Sequence, residues 1–466
     1  MTAITRTPRP PWFFRLLIPA MWLSLALALL PSVSQAQAKK EVIIGIGTQN
    51  TTTNTVTGGI VIKELKLLEK HLPKTGKYAN ITWKLDWQNF TSGPPVTNGM
   101  VANKLQIGMM GDYPLLVNGA TGQQNRGNET QLVAIIAYNA FGSGNGVVVH
   151  KDSPYYGWPN DYWNLVSQSP EVGTTNLQEK KIDAHGDFVP FADLLPYRGF
   201  ARKIFDGAQT KVPTFHGVVV RKDFADEYPE AVVAYIKALM EANDWVRKNP
   251  SMAMQKVEEW TKIEKEVGYM FLGPNGIHTL DPTIKPRWIE TIKLAHGVLS
   301  KLGRVKEFDV NAWVNETYVR QAFKERGEDY DAQKQTLANY DITGRDPICN
   351  RMVTHPKDAG EIWLEGSGLV PVSSPACLLA GVRQYQAEGK KVSVAYLFDK
   401  ALGIKLFADK AFYSVNLSNP KAPAVVPFLL KKDAEAFAAK NGGKLATYAE
   451  ALALAMPASD MAMSGK

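Results

Sequence analysis

Three short polar segments lie where a predicted strand ends and a predicted helix begins. Helix N-termini present unpaired N–H groups and the positive end of the helix dipole, and both features stabilise an oxyanion. Glycine, serine and threonine leave those N–H groups accessible to a ligand. The sequence therefore predicts a site for a small oxyanion that is built largely from backbone amides. Its candidate residues in these segments are Gln49, Asn50, Ser92, Gly93, Gly111 and Asp112.

Some candidate residues also have an ordinary structural interpretation. Gly111 can simply make a turn, and Asp112 can cap the following helix instead of contacting a ligand. His216 follows Phe215 on a predicted strand, where a hydrogen-bonded core histidine is as reasonable as a ligand contact. Both interpretations stay open for each residue.

Asp183, His185 and Asp187 stand at alternating positions. Side chains two residues apart on a strand share one face, so all three could point toward a cleft. The same spacing would also allow a metal site, although spacing alone does not provide the geometry that a metal needs. Of the three, Asp187 is kept as a candidate ligand-binding residue.

The segments that carry these residues alternate between strand and helix patterns. The strand patterns lie at 42–46, 81–87, 106–110 and 217–220. The helical patterns lie at 60–72, 96–105, 229–246, 251–264 and 284–302. This alternation is typical of an α/β fold with a parallel sheet covered on both faces. Ligands of such folds bind beyond the carboxyl ends of the strands, where the polar segments lie.

Length and composition limit the possible classes of protein. A chain of 466 residues with 45% hydrophobic and 21% charged residues is long enough for two or more domains and is not disordered. The net charge of +8 is small for this length, and no basic run interleaved with aromatic residues occurs. Nucleic-acid binding is therefore not expected. The two cysteines, Cys349 and Cys377, leave the first 348 residues without a thiol.

Residues 1–38 have the pattern of a secretory signal peptide. Arginines up to Arg15 precede an apolar stretch at 16–30, and Ala36 and Ala38 fit the small-residue cleavage rule. The apolar stretch is short for a bilayer span. We therefore expect export to the periplasm, with the membrane reached only through a partner.

The sequence of residues 40–325 resembles the periplasmic solute-binding proteins of nitrate, sulfonate and taurine ABC importers. The resemblance is carried by Trp87 to Pro95, Gln106 to Pro114, Phe141 to Gly146, Lys181 to Asp187 and Pro213 to Gly217. It implies a two-lobed binding-protein fold of type II with a ligand cleft between the lobes. It also implies a permease partner, and it adds Ser143 and Asn145 to the candidate ligand-binding residues.

One departure from the family pattern concerns the second lobe, predicted at about 151–215. Lys151 to Tyr155 runs almost directly into Gly157 to Tyr162, without the strand and glycine-serine loop that the family has there. The second lobe is therefore expected to be truncated, and the ligand to bind weakly or not at all.

Residues 346–455 resemble a second family, the NosL-type copper chaperones. The resemblance is carried by Cys349 to Met352, His355, Glu361 to Trp363, Ser374 to Leu378 and Val426 to Phe428. It implies a small α+β domain, preceded by a linker at 326–345 and followed by a Met-bearing, disordered tail at 456–466. The family's Cys-Gly-Met motif is changed here, because Asn350 and Arg351 stand between Cys349 and Met352.

The cysteines of this domain have two competing interpretations. Cys349, Met352 and His355 offer a thiolate, a thioether and an imidazole, and soft sulfur donors select Cu(I). Alternatively, Cys349 and Cys377 form a disulfide in the oxidising periplasm. Copper binding would make another copper protein a partner.

The predicted function is the substrate-binding component of an ABC importer for a small oxyanion of the sulfonate, taurine or nitrate class, fused to a copper-binding domain. The alternative is a periplasmic copper-trafficking protein whose binding-protein module docks a partner or a copper-bearing ligand. Enzymes with this fold exist, including one that cleaves sulfinates with a cysteine. We expect no enzyme here, since no cysteine precedes residue 349.

Overall fold

A computed structural model of the protein describes residues 39–157, 164–338, 340–419 and 423–456. The predicted signal peptide lies outside the described residues, as does the predicted tail from residue 457 onward. Within the described ranges, no helix is both long and apolar enough to cross a lipid bilayer.

The first module contains two sheets. Its strands are β1 (Lys40–Thr48), β2 (Ile81–Asn89), β3 (Ile107–Gly111), β4 (Thr130–Asn139), β5 (Gly146–His150), β6 (Ala184–Asp187), β7 (Ala201–Asp206), β8 (Thr214–Arg221) and β9 (Thr279–Leu280). All four predicted strand segments of this module are strands in the structure. Strands β1, β3 and β8 are largely buried apolar runs, whereas β2 alternates between half-buried and exposed residues.

Helices cover both faces of the larger sheet. The helices of the first module are α1 (Ile62–Glu64), α2 (Leu67–His71), α3 (Gly93–Val101), α4 (Asp112–Gln124), α5 (Pro170–Gln178), α6 (Phe191–Tyr197), α7 (Lys222–Glu227), α8 (Pro229–Lys248), α9 (Pro250–Thr261), α10 (Lys265–Leu272), α11 (Pro286–Lys301), α12 (Val310–Trp313), α13 (Thr317–Arg326) and α14 (Tyr330–Gln335). Of these, α5 and α6 pack on the smaller sheet. The predicted helix at 60–72 is interrupted, since Lys66 has a φ of 53°. A left-handed residue cannot continue a right-handed helix.

The larger sheet has the strand order β2-β1-β3-β8-β4-β9. Strand β1 runs parallel to β2 and β3, as predicted. Strand β8 is antiparallel to both β3 and β4, so the prediction of a wholly parallel sheet is wrong. The reason is the chain path: β8 re-enters this sheet from the second lobe and therefore runs back along β3.

The second lobe is built on a three-stranded antiparallel sheet of order β6-β5-β7. Two connections, 140–145 and 207–213, join it to the larger sheet, and they touch where the Gly207 N–H donates to the Asn145 carbonyl at 2.9 Å. The lobe begins with β5 at Gly146, a few residues before the predicted boundary at 151. Its own apolar cluster is small and contains Val148, Leu177, Ala192, Leu195 and Ala201.

Residues 326–345, predicted as a linker, pack against the first module over much of their length. Helix α14 buries Tyr330, whose ring meets Phe323 edge-on at 5.3 Å. The buried Lys285 ammonium donates to the carbonyls of Gln333 and Thr336 at 2.9 and 2.7 Å. The segment is polar in composition, but its carbonyl groups and one aromatic ring fix it in place.

The C-terminal module is α+β, as predicted. Its strands are β10 (Arg345–Asp346), β11 (Arg351–Met352), β12 (Gly360–Leu364), β13 (Gly368–Val372), β14 (Val392–Phe398), β15 (Lys405–Phe407), β16 (Phe412–Asn416), β17 (Ala424–Phe428) and β18 (Lys444–Ala446), and its helices are α15 (Pro375–Ala387), α16 (Lys431–Asn441) and α17 (Tyr448–Ala453). Strands β13-β12-β14-β15 form one antiparallel sheet, and β17-β16-β18 form another.

The two modules share one apolar core. Trp363, Tyr396 and Phe407 belong to the same buried cluster as the helices of the first module. Phe407 also lies 5.2 Å from the Tyr197 ring of α6, in the second lobe. The C-terminal module therefore contacts the helices of the first module and the second lobe.

Candidate functional site

A cavity of about 430 Å³ opens where α3 and α4 begin, beside strand β8. Most of the candidate ligand-binding residues predicted from the sequence line it. These are Gln49, Ser92, Gly93, Gly111, Asp112, Asn145 and His216. The structure thus brings the three predicted polar segments together at one cavity, because β1, β2 and β3 are neighbours in the sheet and end at the same edge.

The starts of α3 and α4 pack directly on each other. A Cβ atom at Gly93 would lie 2.2 Å from the Pro114 Cβ, so only glycine allows this approach. Gly111 precedes α4 and lies against the His216 ring, with 3.1 Å from an ideal Cβ to Nε2. Both helix N-termini consequently face the cavity. The α3 terminus has fewer N–H groups to offer, since Pro94 and Pro95 have none.

Asp112 is the acidic residue of the cavity wall. It is the first residue of α4, and its Oδ1 accepts the Tyr113 N–H at 2.8 Å. Burial raises the pKa of this carboxyl to about 6, against the lowering effect of the Tyr113 hydrogen bond. Asp112 therefore lines the cavity but does not cap α4, because the N-cap position is Gly111 and no side chain caps this helix.

His216 presents a neutral imidazole to the same cavity. Its Nδ1 lies 2.7 Å from Nδ2 of Asn54, which can only donate, so Nδ1 accepts and Nε2 carries the proton. Burial lowers the pKa of His216 to about 3. The ring is thus a hydrogen-bonded buried histidine that also lines the cavity as an uncharged group. The sequence analysis did not predict Asn54 as a site residue, because it lies in a threonine-rich run that is typical of a loop.

The charge of the cavity wall is unusual for an anion site. Among the described residues that line it, none is lysine or arginine, and Asp112 is the single carboxylic acid. Aromatic and aliphatic side chains make up much of the remaining wall. They are Pro94, Tyr113, Pro114, Val117, Phe188 and Phe215. The wall can hold an anionic group through neutral donors, an ammonium group at Asp112, and an apolar body between them.

Three candidate residues do not line the cavity. Ser143 is buried, its Oγ accepts from Asn139 Nδ2 at 2.9 Å, and it lines a different cavity, of about 340 Å³. Asn50 has a buried Oδ1 without a hydrogen-bond partner. Asp187 accepts the Phe188 N–H at 2.7 Å and pairs with His185 at 2.8 Å. These candidates support the surrounding loops and do not contact the cavity space.

The metal interpretation of Asp183, His185 and Asp187 finds no support in the described structure. The His185 ring lies against Gly173 of α5, and Asp183 is exposed. Within the described ranges, the one group of three His, Cys, Asp or Glu ligand atoms within 4.8 Å is that of Asp346, Cys349 and Cys377.

The structure contains the Cys349–Cys377 disulfide, which was the alternative to copper binding. Cys349 therefore cannot supply the thiolate of the predicted copper set in this oxidised form. Met352 and His355 are exposed and line a separate cavity of about 400 Å³. Copper binding through Cys349 stays a proposal that requires the reduced thiols. Asn350, where the family has glycine, has a φ of 52°, a conformation that asparagine tolerates.

Removing the disulfide is expected to destabilise the C-terminal module. The bond joins residues 28 apart, and closing a loop of that length contributes on the order of 3–4 kcal/mol by the chain-entropy relation. Urea unfolding of the Cys349→Ala/Cys377→Ala variant should show this loss, and thiol titration of the untreated wild type should find no free thiol. Two titratable thiols in untreated protein would contradict the prediction.

Comparison with known proteins finds similarity to anion-binding proteins. The chain is 20% identical over 210 residues to the "Putative aliphatic sulfonates-binding protein" of Bacillus subtilis, which covers 40% of this chain and 62% of that protein. It is 26% identical over 217 residues to the taurine-binding periplasmic protein of Escherichia coli, covering 40% of this chain and 64% of that protein. The chain thus spans less than two thirds of either relative.

One of the solved structures that align with the chain is that of the alkanesulfonate-binding protein SsuA of Xanthomonas axonopodis pv. citri bound to MOPS. It aligns with a TM-score of 0.48 and 14% identity over 60% of this chain and 100% of that chain. The desulfurization enzyme DszB aligns with a TM-score of 0.46, 14% identity, 61% of this chain and 99% of that chain. No family model matches the chain.

The similarity to the sulfonate- and taurine-binding proteins supports the resemblance drawn from residues 40–325. The copper-chaperone resemblance of residues 346–455 stays a prediction, and so does the absence of enzymatic activity. The first module is therefore similar in sequence to periplasmic solute-binding proteins for sulfonates and taurine.

Proposed function

We propose that the first module is the substrate-binding component of an ABC importer and that its ligand is a small organic anion of the sulfonate class carrying an amino group. The observation that carries the proposal is the cavity wall, which combines two helix N-termini and neutral donors with one carboxyl group and no cationic side chain. The protein would act in the periplasm and deliver the ligand to a membrane permease.

Each part of such a ligand has a matching part of the wall. The Nε2–H of His216 and the amides of Gln49 and Asn145 can donate to sulfonate oxygens. Asp112 offers an acceptor and a negative charge to an ammonium group. A purely inorganic anion such as nitrate would meet the Asp112 carboxylate without a compensating cation, so we expect it to bind less well.

Binding is expected to be weak, as the short second lobe suggests. That lobe contributes Asn145, at its connection, and Phe188 to the wall, and none of its helices begins there. The C-terminal module also contacts Tyr197 of the second lobe and Tyr269 of α10. Closure of the lobes around a ligand would have to shift these aromatic contacts, and such closure is what traps a ligand in two-lobed binding proteins.

Isothermal titration of the full chain with taurine, ethanesulfonate and nitrate tests the proposal. We expect micromolar or weaker binding of taurine, weaker binding of ethanesulfonate and the weakest binding of nitrate. Nitrate binding more tightly than taurine would contradict the assigned ligand class. Failure of all three to bind at millimolar concentration would contradict the carrier function.

A second candidate function concerns the C-terminal module, because Asp346 and both cysteine sulfurs lie within 4.8 Å of one another. We propose that an external dithiol reduces the disulfide by two electrons and is itself oxidised to a disulfide. This step frees Cys349 for Cu(I), with Met352 and His355 as further donors after rearrangement. Competition against a Cu(I) chelator should show binding by the reduced protein and none by the oxidised protein. Equal results for the two forms, or for Cys349→Ser and wild type when both are reduced, would contradict copper binding through this cysteine.

A further inference from the structure

A second cavity, of about 340 Å³, lies where the first module, residues 337, 338, 340 and 341, and the C-terminal module meet. It shares no lining residue with the cavity at the starts of α3 and α4. Its walls come from the end of β4, the loop that leads into β9, and the start of β15. The cavity therefore exists only because the two modules are joined.

His278 lies in the wall of this cavity with both ring nitrogens unpartnered. The residue is 5% exposed, and neither Nδ1 nor Nε2 has a hydrogen bond. Its ring stacks on Phe271, with 5.0 Å between centroids and 28° between planes. Burial and the nearby His216 hold the pKa of His278 well below its usual range. A buried neutral imidazole offers one donor and one acceptor, and leaving both unmade is costly.

The charges around the cavity favour an anion. Its lining contains Arg247, Lys357 and Lys405 against one carboxylate, that of Asp341. The ammonium of Lys405 is committed to Glu361 at 2.6 Å, and Arg247 donates to the Leu280 carbonyl. Asp341 offsets one of the two remaining cations, so Arg247 and the exposed Lys357 leave a net excess of one positive charge at the cavity.

Much of the remaining cavity lining is apolar and can contact the hydrocarbon part of a ligand. The neighbouring segment that contains Tyr340 and Asp341 is held in place by hydrogen bonds. The apolar lining residues are Phe141, Leu272, Ile277, Leu337, Phe398 and Ile404. Asn275 makes three hydrogen bonds to this segment: its N–H donates to the Tyr340 carbonyl at 2.7 Å, its Nδ2 donates to Asp341 Oδ1 at 2.5 Å, and its Oδ1 accepts the Ile342 N–H at 2.6 Å. The site is therefore preformed, which lowers the entropic cost of binding.

We propose that this inter-module cavity is a second ligand site that binds a small organic carboxylate. One ring nitrogen of His278 donates to the carboxylate, the positive field of Arg247 and Lys357 stabilises its charge, and the apolar wall contacts its hydrocarbon part. The site is independent of the solute cavity and does not rest on the function proposed for it.

Benzoate is a suitable probe, and benzamide is its uncharged control of nearly the same shape. Full-length protein labelled with ¹⁵N-histidine is titrated with each, and the ring signals of the seven histidines are followed by NMR. The His278 signals are assigned as those missing from His278→Phe. We expect saturable movement of the His278 ring nitrogens with benzoate and roughly tenfold weaker binding of benzamide, because the latter lacks the charge.

His278→Phe should abolish benzoate binding, and Lys357→Gln should weaken it several-fold without affecting the fold, since Lys357 is exposed. Taurine should not compete with benzoate for this cavity, which separates this site from the solute cavity. Unmoved His278 signals at millimolar benzoate would overturn the proposal and leave a cavity that holds water only. Equal affinity for benzoate and benzamide, or unchanged benzoate affinity in Lys357→Gln, would also overturn it.

Discussion

Replacing Glu361 by alanine is expected to lower the free energy of unfolding by about 3–5 kcal/mol, because a buried charge loses its partner. One carboxylate oxygen of Glu361 accepts the Tyr269 hydroxyl at 2.7 Å, and the other accepts Lys405 Nζ at 2.6 Å. The Lys405 side chain is 0% exposed, and its other acceptor is the Pro274 carbonyl at 2.9 Å. Without Glu361 the ammonium would be buried beside one neutral acceptor. Urea unfolding followed by tryptophan fluorescence measures the effect.

Glu365 provides the matched control. It is an acid of the same module that pairs with Lys391 at 2.8 Å on the surface, where both side chains are more than half exposed. Glu365→Ala should change stability little, because exposed pairs contribute little. The double variant Glu361→Leu/Lys405→Met should recover much of the loss, since no charge is then left unpaired. Similar losses in Glu361→Ala and Glu365→Ala would contradict the importance of the buried pair.

The position of this pair gives the prediction a second readout. Tyr269 belongs to α10 of the first module, whereas Glu361 and Lys405 belong to the C-terminal module. The Tyr396 hydroxyl makes another inter-module hydrogen bond, to the Glu266 carbonyl at 2.8 Å. Loss of the Glu361 carboxylate should therefore separate the unfolding of the two modules. A single transition in wild type and two in Glu361→Ala is the expected pattern.

The site at the starts of α3 and α4 could be predicted from the sequence because its signals are local. Ser92-Gly93-Pro94 and Gly111-Asp112 each mark the end of a strand and the start of a helix within a few residues. Alternation of strands and helices then places these ends along one sheet edge. Neighbouring residue types were sufficient for this inference, and the direction of β8 was not needed.

The other contacts of the site, and the contacts between the two modules, join residues that are distant in the sequence. They have no local sequence signal. Asn54 meets His216 across 162 positions, and Tyr269 meets Glu361 across 92. Lys405 reads as an ordinary charged residue at the start of a strand, yet it is fully buried. At Cys349 the sequence analysis left both a copper-binding thiolate and a disulfide open, because both need the same residue.

Asp112→Asn is expected to stabilise the protein at neutral pH. The folded pKa of about 6 lies above the ordinary value of about 3.9, so the native state binds more protons between those two values. Stability consequently falls as pH rises through this window, by up to about 3 kcal/mol. Asparagine removes the buried charge, so the variant should be more stable than wild type at pH 7 and similar to it at pH 4. Thermal unfolding at the two pH values checks this, with the exposed Asp183→Asn as control.

The same substitution should reverse the order of the binding affinities for taurine and ethanesulfonate. In wild type the ionised Asp112 attracts the ammonium group of taurine and repels the sulfonate of ethanesulfonate, so taurine should bind better above pH 6 than below it, and ethanesulfonate worse. Asp112→Asn should weaken the binding of taurine by roughly tenfold, as expected for loss of one charge-assisted hydrogen bond. It should strengthen the binding of ethanesulfonate and remove the pH dependence of both affinities. Titration calorimetry of both proteins with both ligands at pH 5 and pH 8 measures all eight affinities. Taurine affinity that is equal in Asp112→Asn and wild type at pH 8 would show that the ammonium group lies elsewhere, because no other carboxyl group lines the described wall of this cavity.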